Sequence, residues 1–494
     1  MHPSTSYLLS WIILGAVVAS SDTTTSTCDA LSSVLSDVFF PESDIYNASI
    51  SSYPFIQLRL HPTCIVRPKT SQDVSIAVNV LRESGCTKFA VRGGGHNANA
   101  GFNNIEDGVT IDMQSMNAVD VDKEVVRVGA GAIWQDVYDV VEPRNLSVLG
   151  GRIGVVGVAG LTTGGGISFF SPERGWVCDS VVNFQVVLAS GDIVDVNATS
   201  RPDLFAGLKG GQNNFGIVTR FDLKAFPQGP IWGGRIAFAP EADTALVSAF
   251  TEFKNPHKYD PYAAGWVTLR YNGSTKQFTP TSILWYTRPE LKPGALAQMT
   301  EVGPQVMNGM QEAYAGEFTR NASLVVKSAS SRTIWATTTF HISPTIVHHI
   351  HSLWKSLVPK ICETYAYARP TSELTFQSLP PSPQNGSHPN SLGFAPDSTP
   401  EKDLVFLQII FYFWDASATE GLNNALKEFI KMFNEIAEEE GVKHKYIYLN
   451  FAAWFQDPLG GYGKEQVETL RHVARKYDPE GLFQEQVVGG FKLF

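Results

Sequence analysis

Apolar and polar positions change period several times along this chain, and each change marks an element. In "HPTCIVRPKTSQDVSIAVNVLRESG" a short apolar strand and a turn precede Val74, Ala77, Val78 and Leu81. Those four recur at helical spacing, and Gly85 stops the helix. "KFAVR", "GVTIDM" and "EVVRVGAGA" read as strands, and "IWQDVYDVVEP" as an amphipathic helix ended by Pro143. "FQVVLASGDIVDV" is two strands around a Ser-Gly turn, a hairpin, and "GIVTRFDLKAF" is a closing strand. Ahead of these, a Ser-rich helical segment is predicted over residues 28–38.

The pattern shifts near Pro227–Gly233. Beyond it glycines thin out and the elements lengthen. "VHHIHSLW" is helical, "DLVFLQIIFYFWD" is a buried strand, and "GLNNALKEFIKMFNEIAEEEG" is an amphipathic helix. The tail ends in a second helix. Between them, "PPSPQNGSHPNSLGFAPDSTP" (380–400) is expected to be a long polar loop or lid. No repeat or low-complexity domain interrupts this order.

Composition adds limits. The chain has 494 residues, 43% hydrophobic and 17% charged, enough to bury large cores over more than one domain. Net charge is −10, without a Lys/Arg stripe, which argues against a nucleic-acid partner. "YLLSWIILGAVVA" (7–19) is too short for a comfortable span and is followed by polar sequence. It reads as a secretory signal peptide cleaved near Ala19–Ser21, despite an n-region without Lys or Arg. The mature protein is then expected in the secretory lumen or outside the cell, free of membrane. Asn47, Asn145, Asn197, Asn272, Asn321 and Asn385 begin Asn-x-Ser/Thr glycosylation signals. Of five cysteines, Cys28 and Cys64 flank a short N-terminal segment and are candidates to pair. Cys86, Cys178 and Cys362 leave at least one thiol over.

Three glycine clusters carry the candidate chemistry. "VRGGGHNANAG" (91–101) superficially fits G-x-G-x-x-G/A, with Asp112 about twenty residues on. That fingerprint requires a helix directly after the glycines, and "NANAGFNNIEDG" is loop. What survives is a strand-to-loop turn whose free N–H groups can hold phosphate. "GGRIGVVGVAGLTTGGG" (150–166) is glycine at eight of seventeen positions. Such density weakens helix and strand alike, and is tolerated where backbone must approach something flat or charged. "FAGLKGGQNNFGIVT" (205–219) repeats the theme. Together the three suggest a large ligand with a phosphate and a planar ring.

These stretches resemble, in order, the three FAD loops of the berberine-bridge-enzyme-like flavoproteins, within the vanillyl-alcohol-oxidase superfamily. "YLNF", a later "YG" and "LRHVARKYDPEGLF" resemble that family's C-terminal segment, and the overall look is that of its fungal secreted branch. The resemblance implies an α+β protein. A PCMH-type FAD-binding domain of two subdomains (59–228) would follow a leader (1–20) and an N-terminal segment (21–58). A substrate domain of antiparallel sheet backed by helices (229–440) and a segment returning to the FAD domain (441–494) would complete it.

The resemblance also implies residue roles. Cofactor contacts fall on Arg92, Gly93, Gly94, Gly95, His96, Asn97 and Gly101 in the first loop. In the second they fall on Val156, Gly157, Gly160, Thr162, Gly164, Gly165 and Gly166, and in the third on Asn213, Gly216, Ile217 and Val218. His96 stands where the family's histidine bonds to the flavin 8α-methyl carbon, and a neutral imidazole is a competent nucleophile. Many relatives have a second tether, a cysteine, where this chain has Ile153, so a single covalent link is expected. Val156 matches a position where valine leaves room for O2. Tyr448 is the first candidate for a base, with Asn450 expected two residues along the same strand face. Phe451 replaces a second tyrosine of some relatives. Gln408, Tyr412 and Trp414 share a strand face and could line the pocket, with plain sheet packing the favoured expectation for them.

The implied activity is that of a secreted, monomeric oxidase. It would transfer a hydride from a small molecule of secondary metabolism to flavin, reoxidised by O2 to give H2O2. The alternatives are a carbohydrate oxidase of the same fold and a flavin carrier without turnover. Other chemistries find no support. His348, His349 and His351 lack the acid of a HExxH zinc site, and there is neither a CxxC nor a G-x-S-x-G elbow.

Overall fold

The computed structural model describes residues 23–328, 331–380, 389–394 and 402–494. The proposed leader, Asn385 and most of the 380–400 loop lie outside these residues. Three sheets follow one another along the chain. The first contains β1 (Val38–Phe39), β2 (Cys64–Val66), β3 (Phe89–Arg92) and β4 (Val109–Asp112) in the order β1-β2-β4-β3. β2, β4 and β3 are parallel and β1 is an antiparallel edge. β2 and β4 are buried throughout, as continuous apolar runs in parallel sheets are.

The helix Ser71–Ser84 is the crossover between β2 and β3. Thr70 and Asp73 form a capping box at its start, and Gly85 ends it at φ 70°. Val74, Ala77, Val78 and Leu81 are fully buried. Each of the larger three contributes on the order of 2 kcal/mol. This helix packs against the second sheet, where Ser75 Oγ donates to Gly191 O (2.5 Å). The N-terminal helix runs over residues 23–34, earlier than the periodicity suggested, and a Cys28–Cys64 disulfide ties it to β2. Cys86 is exposed, and Cys178 and Cys362 are buried thiols.

The second sheet contains β5 (Val119–Asp122), β6 (Val125–Gly129), β7 (Leu146–Val148), β8 (Val181–Val187), β9 (Ile193–Asn197) and β10 (Ile217–Pro227). Its order is β5-β6-β10-β8-β9, antiparallel, with β7 on the far end of β10.

The third sheet begins four residues after Pro227. It contains β11 (Ile231–Phe238), β12 (Ala263–Asn272), β13 (Gln277–Tyr286), β14 (Gln305–Asn308), β15 (Gln311–Ala313), β16 (Arg332–His341), β17 (Thr371–Ser378), β18 (Leu404–Phe413) and β19 (Lys443–His444). Its order is β14-β11-β13-β12-β17-β18-β16-β19, antiparallel, with β15 paired to β11.

Alternation along these strands assigns the two faces. Val405, Leu407, Ile409, Phe411 and Phe413 face the helices Asp243–Phe253, Ile346–Thr364 and Thr419–Glu439, and form one core with them. Leu404, Phe406 and Ile410, on the opposite face, turn toward the first two sheets. The third sheet is therefore a roof, helix-backed on one side and open to the glycine loops on the other.

The C-terminal residues return beneath this roof. Tyr446, Tyr448, Leu449, Ala452 and Phe483 belong to the core of the first two sheets. Lys476 pairs with Asp203 (2.6 Å), and Val487 bridges Phe89 at the edge of β3.

Candidate functional site

β3 runs straight into the first glycine loop, so the first sheet fixes where His96 lies. Gly95 has φ 71°, and a Cβ there would meet the Tyr53 ring at 2.9 Å. Gly94 and Gly157, from the first and second loops, stand back to back. A Cβ on Gly94 would lie 2.4 Å from Gly157 N, and one on Gly157 2.3 Å from Gly94 N. The amides of Gly94, Gly95, His96, Asn97 and Ala98 donate to no protein acceptor among the described residues. Five unpaired donors in succession, with Gly95 left-handed, can line a concavity for an anion. Asn97 Oδ1 accepts from Asn99 N (2.9 Å), and Gly101 turns the chain at φ 84°. Asn99 ties the loop to the C-terminal segment through Ala452 O (3.0 Å) and Trp454 N (3.0 Å).

Arg92 does not point its side chain at this concavity. Its guanidinium is buried against the N-terminal segment, donating to Ser49 O (2.9 Å), Ser49 Oγ (3.0 Å) and Ser52 Oγ (2.7 Å) over the Tyr53 ring. Asp112, named only for the rejected fingerprint, is its counter-ion at 3.5 Å. Arg92 is a strut beneath the loop.

His96 is deep. Burial pulls its imidazole down to about 4, so it is neutral at physiological pH. Its ring lies 5.6 Å from Phe55, which meets Trp335 of β16 edge-on at 5.8 Å. The histidine thus sits where loop and roof meet.

In the second loop, Gly157 starts the short helix Val158–Thr163, and Val156 O accepts from Trp134 N (3.0 Å). Gly160 has nothing within 4 Å of where a Cβ would be. Thr162 Oγ1 is buried with no partner. Gly165 and Gly166 have φ 99° and 82°. Gly164 is pressed on Asn450, whose Oδ1 would be 2.1 Å from a Cβ. In the third loop, Asn213 Nδ2 donates to Gly489 O (3.0 Å) while its Oδ1 is buried and unpaired. A Cβ on Gly216 would meet Val186 at 2.7 Å, and Ile217 and Val218 enter β10.

Tyr448 and Asn450 are not on a strand; Leu449–Phe451 is a 3₁₀ turn. The turn still brings them together, Asn450 Nδ2 donating to Tyr448 Oη (3.1 Å) and Leu161 O (3.0 Å). The Tyr448 ring packs on Trp176, Phe406 and Phe451 at 5.8, 5.4 and 5.1 Å. Burial pushes its hydroxyl up to about 12, so it stays protonated at neutral pH and is a poor base as it stands.

The roof contributes groups of its own. Register places Gln408 opposite Thr375 and Thr337, and Tyr412 opposite Thr371 and Thr333, all facing the loops. Trp414 lies beyond the end of β18 and is half exposed. On the same face, Glu373 is flanked by Arg270 Nη1 (3.5 Å) and Tyr412 Oη (3.4 Å). Burial raises the Glu373 carboxyl above the usual range. It is the only carboxylate on the loop-facing positions of β11, β12, β13, β16, β17 and β18. Only the strand register reveals it.

The three histidines of "VHHIHSLW" are held apart. His348 meets Ser248 (3.2 Å), His349 meets Glu440 (2.7 Å) and His351 meets Asp243 (3.4 Å). No metal-holding cluster is found among the described residues.

The unpaired amides, the orphaned Thr162 and Asn213 oxygens, and glycines that exclude any Cβ fit a dinucleotide laid across all three loops. Gly93–Ala98 would take the diphosphate and His96 would lie against the ring. Two glycine-lined subdomains under a helix-backed antiparallel roof define a PCMH-type flavoprotein. Residues 62–197 match the FAD binding domain family. The chain is 35% identical to the FAD-dependent monooxygenase sdcF of Emericella nidulans, covering 94% of this chain and 98% of that protein. The protein belongs to the berberine-bridge-enzyme-like FAD-linked oxidoreductases.

Solved structures share the fold. The 6-hydroxy-D-nicotine oxidase of Arthrobacter nicotinovorans superposes with a TM-score of 0.75 at 19% identity, covering 93% of this chain and 97% of that one. A glucooligosaccharide oxidase of Acremonium strictum, described with a 6-S-cysteinyl, 8α-N1-histidyl FAD, superposes with a TM-score of 0.72 at 19% identity. It covers 95% of this chain and 99% of that one.

Proposed function

We propose that this protein is a secreted oxidase that takes a hydride from a small organic molecule, with FAD held covalently through His96 alone. The observation that carries this reading is the neutral, half-buried His96, the third of five successive backbone amides without a protein acceptor. An imidazole that is not protonated keeps a lone pair to bond carbon. The histidyl flavin named for the Acremonium strictum oxidase supports the tether, and Ile153 offers no sulfur for a second one.

FAD, when bound, would supply a hydride acceptor that O2 can reoxidise to give H2O2. The chain's own residues do the rest. The Gly94–Ala98 amides would hold the diphosphate, and Phe55, backed by Trp335, packs beside His96. Asn450, held by Tyr448 and Leu161 O, presents a fixed amide beside Gly164. Glu373 is the roof's proton acceptor, Arg270 and Tyr412 holding it in place. Val156 is small enough to leave O2 a path, and the leader sends the chain into the secretory pathway.

A second reading follows from the name of the Emericella nidulans relative, a monooxygenase, in which one oxygen atom enters the product. Turnover under ¹⁸O2 with aromatic alcohols, polyketide-like phenols and oligosaccharides separates the possibilities. One H2O2 per product without label in the product supports the oxidase, and label in the product supports the monooxygenase. Yellow colour that stays with acid-precipitated protein tests the tether in the same sample.

A further inference from the structure

Arg152 lies in the second loop, one residue before Ile153, and was not among the expected site residues. It crosses from loop to roof. Its guanidinium lies over the Trp266 ring at 4.6 Å and reaches Trp285 at 5.8 Å, and Nη2 donates to Gln377 Oε1 (2.9 Å). Arg152 makes no other hydrogen bond and no ion pair with any described residue. Guanidinium has five N–H donors, so four are left over. They are not sealed in the protein: Arg152 is only half-buried, and none of its nitrogens is among the buried atoms lacking a partner. The accessible part of the side chain lies where the second loop faces β12, β13 and β17, across the gap between loops and roof.

A deep cation without a counter-ion is costly to keep charged. Burial lowers Arg152 to about 10, and no neighbouring carboxylate offsets it. Arginine remains charged at physiological pH even so. The rest of the roof face does not supply the missing anion. Glu373 is already paired with Arg270, and Arg235 on β11 acts on it as well. The loop-facing surface therefore carries more cations than anions, beside the flat indoles of Trp266 and Trp285.

We infer that Arg152 is the anchor for an acidic group on the substrate, a carboxylate or an ionised phenol on an aromatic or other planar skeleton. The acid pairs with the free edge of the guanidinium, and the skeleton lies along the tryptophans. This deepens the proposed function and rests on the same gap being the substrate site.

The test uses the flavin-loaded protein and equilibrium binding rather than turnover. Titration calorimetry compares 2-naphthoate with its neutral isostere 2-naphthamide on the wild type. The expected result is a preference of about tenfold or more for the carboxylate, the size of one charge-assisted hydrogen-bonded pair. Arg152→Met should abolish that preference while amide binding changes by less than about threefold, and Arg152→Lys should restore part of it. Equal affinity for the two probes in the wild type overturns the proposal, whatever the variants do. So does a preference that survives in Arg152→Met. An altered flavin spectrum in Arg152→Met with an unchanged probe preference assigns the cation to the cofactor and also overturns it. Colourless wild-type protein marks failure of the flavin reading itself, a distinct result.

Discussion

Replacing Gly94 by alanine tests the junction of the first two loops. The added Cβ falls 2.4 Å from Gly157 N and 2.5 Å from Gly157 Cα. Nonbonded carbon contacts settle near about 3.5–4.0 Å, so the loops must part by about 1 Å. Both offending atoms are backbone, so no rotamer change can relieve the clash. The cost therefore falls at the upper end of overpacking, about 3 kcal/mol. The same displacement would stretch hydrogen bonds from the Gly94–Ala98 amides to a diphosphate from about 3 Å toward 4 Å, beyond useful length.

Urea denaturation of the flavin-free protein and the ratio of flavin to protein absorbance read the two effects. Gly94→Ala should lose about 3 kcal/mol and retain well under half the flavin. Gly160→Ala is the control: its Cβ meets nothing within 4 Å, and the residue lies in a short helix. The control should gain about 0.5–1 kcal/mol in the flavin-free state. A Gly94→Ala protein with wild-type stability and full flavin would refute the back-to-back packing of the loops.

Three further outcomes are expected. Cys28→Ala combined with Cys64→Ala, opening a loop with a sequence separation of 36, should cost about 4 kcal/mol by chain entropy, read by urea denaturation under non-reducing conditions. A loss below about 1 kcal/mol would show that the bond does not constrain the unfolded chain. His96 is depressed from 6.5 to about 4 in the folded protein, so between those values the unfolded state binds the extra proton. Stability of the flavin-free protein should be complete above pH 6.5 and fall by about 3 kcal/mol as pH drops through 4, a loss absent from His96→Gln. Glu373→Gln should slow anaerobic flavin reduction and flatten its rise with pH, because the raised carboxyl of the wild type must ionise before it accepts a proton. An unchanged profile would assign the base elsewhere.

Local pattern made much of this fold legible. Val74, Ala77, Val78 and Leu81, with Thr70 and Gly85 as punctuation, specify the first crossover helix without help from the rest of the chain. The glycine loops were visible because their composition suits no regular element. Harder to read were features set by long-range contact. "YLNF" alternates like a strand, yet Asn450 is drawn to Leu161 O and Gly164, and the chain turns to deliver it. Arg92 falls among the expected cofactor contacts, but Ser49, Ser52 and Asp112, distant in sequence, claim every hydrogen bond its guanidinium makes. Glu373 and Arg152 acquire meaning only through the register of β12, β17 and β18, which no local spacing encodes.

The proposed chemistry of the site turns on a bond between His96 and the flavin. Intact-mass spectrometry of the protein under denaturing conditions, followed by peptide mapping, measures it directly. The expected result is a chain heavier by one FAD, with the adduct on the peptide containing His96, and an unmodified mass for His96→Ala. An unmodified wild-type chain, or an adduct mapped to another residue, would contradict it.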